Sequence, residues 1–189
     1  MVYGRSREVK QNMEQSILKR YNEIHVMLWE EVLKVFIVRT NESIEYYKTN
    51  TEQIETLCIT SLKRTALFNL FVRGQITEQE KNDLLMNANC AACCVANAVR
   101  SIEFMIDDAN WYNGSCESCP VKKWNATGMR CNDYHTVEDR LDNLTRYIAS
   151  CITHREKFNL ETYTKLRKAI MKKIYIVAHL EWGYEQNGE

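Results

Sequence analysis

The chain has 189 residues, 45% of them hydrophobic and 26% charged, a length sufficient for one buried core and a composition too apolar for a disordered chain. Lysine plus arginine equal aspartate plus glutamate at 25 each, so affinity for nucleic acid or anionic lipid has to come from a local patch rather than from net charge. No run approaches the length of a membrane span and no apolar segment of signal type follows residues 1–10, so the expected setting is the cytoplasm, with no membrane contact.

Met13, Ile17, Tyr21, Ile24, Leu28, Val32 and Val35 recur every three or four residues, which predicts an amphipathic helix over about 7–39. Residues 40–50 supply capping side chains, and Ile44 and Tyr47 either extend that helix or begin a bend. His25 lies beside the apolar stripe and reads as a core or boundary histidine. Ile54, Leu57, Cys58, Leu62, Leu67 and Phe71 mark a second helix, stopped by Gly74 where a C-terminal cap wants positive φ.

Thr77 and Glu80 form a capping box preceded by Ile76. Leu84, Leu85, Ala88, Ala92, Val95, Val99, Ile102 and Ile106 then predict a long third helix reaching about residue 110. Cys90, Cys93 and Cys94 sit on it at i, i+3 and i+4, on one face. Their alanine-rich surroundings point to close helix packing, with cysteine as a small apolar residue, rather than to metal binding.

Residues 110–135 form the one irregular stretch. Cys116, Cys119, Cys131 and His135 follow the pattern C-x2-C-x11-C-x3-H, in which two close pairs complete the tetrahedron that zinc prefers. Pro120 and Gly128 suit turns around an ion, and a structural zinc would explain a loop of this length in a compact domain. An iron–sulfur cluster on the three cysteines plus one distant thiol is the weaker alternative, because a cysteine-rich run is missing. Eight cysteines without an export signal fit thiols and metal ligands better than a disulfide framework. The sequons at Asn41, Asn113, Asn125 and Asn143 then read as chance.

Thr136 and Asp139 open a fourth helix through Val137, Leu141, Leu144, Ile148 and Cys151. Asn159 caps a fifth, with Tyr163, Leu166, Ile170, Ile174 and Val177 as its stripe and Gly183 as its stop. No segment alternates as a strand does. The expected fold is all-α, a bundle of four to five long helices in a single domain over 1–189, with a Cys-rich, zinc-clipped loop at 110–135.

Nucleophile-elbow, zinc-protease and phosphate-loop motifs are absent, the four histidines are scattered, and the adjacent Asp107 and Asp108 point to different sides of a helix. The leading expectation is a non-enzymatic binding or regulatory protein that docks on a protein or nucleoprotein partner. In general character the chain is similar to the small, cysteine-containing helical accessory proteins of phages and mobile elements. One case of that kind is an inhibitor of a defence nuclease with an anti-CRISPR-like role. The alternative is a nucleic-acid-binding regulator. Lys165, Lys168 and Lys172 share a face of the fifth helix, and Trp111, Lys122, Lys123, Trp124 and Arg130 add cationic and aromatic surface in the loop. The acidic residues Glu138, Asp139 and Asp142 offer a contact for a basic partner instead. A metal-dependent enzyme would need an open coordination position, and the apolar surface of the first helix allows a homodimer.

Overall fold

The structure is a computed structural model. It describes residues 2–49, 59–87, 90–98, 120, 140, 143, 144, 146, 147, 159–179 and 182, with the side chains of 8, 9 and 11–41 on the first helix. These residues are almost entirely helical, and no strand occurs among them. The protein is an all-α fold of bundled helices: α1 (Val2–Thr49), α2 (Ile59–Val72), α3 (Glu78–Met86), α4 (91–98) and α5 (Leu160–Ala178). Residues 140, 143, 144, 146 and 147 of the expected fourth helix are also helical, with Leu144 buried.

The chain divides into two compact units. One comprises Met1–Val26, Ile76–Cys131 and Glu181–Glu189, the other Met27–Gln75 and Asn132–Leu180, so α1 contributes to both. It does not stop at residue 39. Thr40, which could have capped a new helix, turns its hydroxyl back onto the carbonyl of Phe36 at 2.7 Å, a bond that leaves the helical ladder running.

In the second unit α1 is buried over more than a single stripe, with Leu28, Trp29, Val32, Val35 and Phe36 all enclosed. The reason is that it has two helical neighbours. Arg39 donates to Ser61 and Thr65, and Glu31 accepts from Asn69 and Arg73, so α2 runs antiparallel to α1. Tyr163 and Arg167 bond to Thr40 while His179 pairs with Glu30, so α5 is antiparallel to α1 as well. Each large side chain enclosed here stabilises the fold by roughly 1.5–3 kcal/mol. Lys63, almost fully buried, keeps its ammonium 5.0 Å from the centre of the Trp29 ring, where the π face offsets part of the charge's lost hydration.

Gly74 ends α2 at φ +69°. The amide of Gly74 bonds to the carbonyl of Phe71 and that of Gln75 to Leu70, the paired reversal that satisfies orphan carbonyls at a helix end. The capping box follows at once: Glu80 N–H donates to Thr77 Oγ1 and Thr77 N–H to the Glu80 carboxylate.

In the first unit Leu18 and Val95 are buried together, with Ile17, Tyr21 and Trp182 packed on them. Trp182 also lies 4.9 Å from the ring of the buried His25, which is a core residue as expected. Arg20 makes a bidentate pair with Glu80, and Tyr21 donates to Asp83, fixing α3 to α1.

The long third helix expected over 77–110 is instead broken. α3 ends at Met86, Asn87 caps it at φ −109° and ψ 40°, and a new helix starts at residue 91. Asn87 leaves the helical conformation there, its N–H shared between the carbonyls of Asp83 and Leu84 and its side-chain amide bonded to the Asp83 carbonyl. The last helix likewise ends at Ala178, earlier than the glycine at 183 suggested, with His179 as its cap. Its ring packs 4.2 Å from Tyr175, and its Nδ1 bonds to the Tyr175 carbonyl.

Candidate functional site

The candidate surface that the described residues build most completely is the outer side of α5. Asn159 starts the helix by accepting from the amide of Thr162, and the hydroxyl of Tyr147 braces the cap by accepting from Asn159 N–H and donating to its carbonyl. The inner side carries Tyr163, Ile170, Ile174 and Val177, all buried. Tyr163 locks the register through a 2.7 Å bond from its hydroxyl to the Thr40 carbonyl, and burial pushes its phenol up to about 12. Arg167 reaches back to Thr40 Oγ1 and Asn41 Oδ1. It is therefore an anchor, not part of the outer surface.

On the outer side Glu161, Lys165, Lys168, Lys172, Tyr175 and His179 follow one another at intervals of three or four residues, and all are exposed. Lys165, Lys168 and Lys172 thus stand in one row, as their spacing predicted. Among the described residues Lys165 alone of the three has a carboxylate partner, Glu161 at 2.6 Å one turn earlier, and both ends of that pair are largely in water. An exposed pair of this kind holds the lysine by less than about 1 kcal/mol. The row from Lys165 to Tyr175 is roughly 15 Å long at the helical rise of ~1.5 Å per residue. Tyr175 is 56% exposed, a flat ring at the end of three ammonium groups. Sequence reasoning passed over it, although its place three residues after Lys172 was the available signal.

A second group of polar side chains lies in the first unit. The Tyr21 hydroxyl donates to Asp83 at 2.9 Å, Gln79 donates to the other oxygen of the same carboxylate, and Asn97 donates to Asn87 Oδ1. Burial and the neighbouring Asp83 raise the phenol of Tyr21 above its usual range. Cys94 lies beside these groups, 4% exposed, its thiol pushed up to about 12, first by burial and then by the proximity of Cys90 and Asp83. Cys90 and Cys93 are half-exposed. The three cysteines therefore do not share one environment: Cys94 is in the core as expected, and the other two are not.

The proposed zinc ligands Cys116, Cys119, Cys131 and His135 lie outside the described residues, as do Trp111, Lys122, Lys123, Trp124 and Arg130 and the acidic residues Glu138, Asp139 and Asp142. Of the loop at 110–135 only Pro120 is described, as a buried turn residue. Among the described residues no group of three or more His, Cys, Asp or Glu side chains is placed to hold a metal ion, and no helix is long and apolar enough to cross a membrane. Compared with protein-family models, with curated proteins and with solved structures, the chain finds no match in any of the three.

Proposed function

We propose that this chain is a non-enzymatic binding protein that contacts nucleic acid through the outer side of α5, with Lys165, Lys168 and Lys172 on phosphates and Tyr175 against a base or sugar. The observation that carries the reading is the row itself: three exposed ammonium groups and one exposed ring on a helix whose inner side is fixed by Tyr163, Arg167 and Asn159. A rigid row of cations gains affinity by releasing the counterions condensed on a polyanion, and an aromatic ring at its end adds stacking on exposed bases.

The sign of the charge also weighs between partner classes. An inhibitor that fills the basic channel of a nuclease needs an acidic surface, whereas α5 offers a cationic one, so gripping the nucleic acid is the better use of this helix. Docking on a basic protein through Glu138, Asp139 and Asp142 is the second reading, resting on composition alone.

Fluorescence anisotropy with labelled single- and double-stranded oligonucleotides tests the proposal. Three phosphate contacts correspond to a roughly 20- to 40-fold loss of affinity between about 50 and 200 mM salt. The combined Lys165→Gln, Lys168→Gln, Lys172→Gln variant is expected to lose that salt-sensitive binding while keeping its helicity. Absence of binding by the native chain at low salt removes the reading.

A structural zinc on Cys116, Cys119, Cys131 and His135 belongs to the same proposal on the strength of ligand type and spacing. One equivalent of zinc in the purified chain, lost in Cys116→Ser and in His135→Ala, is the expected result. A native chain without metal ends that part of it and leaves α5 unaffected.

A further inference from the structure

The break between α3 and α4 gives Cys90 and Cys93 a setting that a continuous helix would deny them. The carbonyl of Cys90 accepts the first helical bond of α4, from the amide of Cys94 at 3.2 Å, while Cys90 itself is outside the helix and its own amide bonds to Asn87. It is the N-cap residue, and Cys93 is the third residue of the first turn. The side chain of an N-cap residue is directed at that third position by the local backbone.

Exposure separates this pair from the rest of α4. Ala91, Ala92, Cys94, Val95 and Ala96 are buried, whereas Cys90, Cys93 and Asn97 are wholly or partly open to solvent. The first group is the inner side of the helix and the second, at i, i+3 and i+7, the outer side. Residues three apart on a helix have Cβ atoms about 5–6 Å apart. A disulfide needs about 4 Å, a gap that Cys90, lying just outside the helix, is freer to close than a residue within it.

From this geometry we infer that Cys90 and Cys93 form a redox-active dithiol, which closes to a disulfide by exchange with a small-molecule disulfide such as oxidised glutathione. One thiolate attacks a sulfur of the glutathione disulfide and expels one glutathione thiolate, leaving a mixed disulfide on the protein. The second protein thiolate attacks the protein sulfur of that bond and expels the second glutathione. The two protons given up by the protein thiols pass to the two expelled glutathione thiolates, so the protein pair is oxidised and glutathione disulfide is reduced to two glutathione molecules with no net release of protons. Cys94 stays out of the exchange, being enclosed and held as the neutral thiol, which is a poor nucleophile.

The test uses the full native chain equilibrated in glutathione buffers from reducing to oxidising, quenched with an alkylating reagent and mapped by proteolysis and mass spectrometry. The expected result is the joint loss of the alkylatable thiols at 90 and 93 and the recovery of one peptide with an internal bond between them. Cys93→Ser, under the same oxidising buffer, is expected to hold a glutathione adduct at Cys90 with no internal bond. Circular dichroism of native and variant chains, unchanged in helicity, accompanies it. Three outcomes overturn the inference: both thiols stay alkylatable in the most oxidising buffer, each carries its own glutathione in the native chain, or the bond maps to Cys94 or another cysteine.

Discussion

Glu31 is a carboxylate with only 3% of its side chain in water, and it remains charged because Arg73 grips both its oxygens while Asn69 donates to one and Lys34 stands 3.5 Å away. The hydrogen bonds from Arg73 outweigh the cost of burial and hold its pKa below the ordinary 4.5. A group that releases its proton more readily when folded stabilises the fold fully above the unfolded value, and the contribution is lost as pH falls through the folded one. Glu31→Gln removes the charge and is expected to cost about 1–3 kcal/mol near neutrality. The gap to the native chain should close as the pH is lowered below about 4.5. Urea midpoints of both chains measured across that range check it; parallel curves would assign the acid sensitivity to other carboxylates. The bond from Tyr163 to the Thr40 carbonyl is neutral and buried, so Tyr163→Phe should cost about 1 kcal/mol with no such pH dependence.

At the scale of the element, the turn from α2 into α3 combines two devices that act by different means. Gly74 has nothing within 4 Å of the place a Cβ would occupy, so Gly74→Ala is penalised through its backbone at φ +69° alone, by about 1 kcal/mol. Thr77→Ala deletes the side-chain acceptor of the capping box and should cost a similar amount. Thermal unfolding of the two single variants and the double variant measures both costs, and a double-variant loss well below their sum would show that one device depends on the other. These caps were legible in the sequence because each rests on one residue type at a fixed place in the chain. The same holds for Asn159 and for the row Lys165, Lys168 and Lys172. The break at Asn87 was not legible, because the apolar spacing of Leu84, Ala88, Ala92 and Val95 continues across it and alanine favours helix on both sides. A single residue that leaves the helical φ/ψ, as Asn87 does, leaves no mark on that periodicity. The break makes Cys90 the residue before α4, while Cys93 and Cys94, which the spacing had placed together, differ in exposure within α4 itself, the first half-exposed and the second buried. Thr40 illustrates the converse: a residue type suited to capping bonds backwards and prolongs α1.

Across the whole molecule the formal charge is zero, which makes the proposed recognition by α5 unusually easy to separate from a bulk effect. Neutralising Lys165, Lys168 and Lys172 takes the net charge from zero to minus three. Neutralising Lys19, Arg64 and Arg140, each exposed and on another helix, does the same. A non-specific attraction governed by total charge weakens equally in both variants, whereas contacts made by the row weaken only in the first. The salt dependence then resolves the row into its members. Each lysine that meets a phosphate should lower the slope of log affinity against log salt by about 0.7 on a single strand or 0.9 on a duplex when changed to glutamine. Tyr175→Ala should leave the slope in place and reduce affinity by the stacking contribution of about 1–3 kcal/mol, on single strands above all, because only there are base faces open to the ring. An unchanged slope in all three lysine variants would mean that the exposed side of α5 meets solvent and not phosphate.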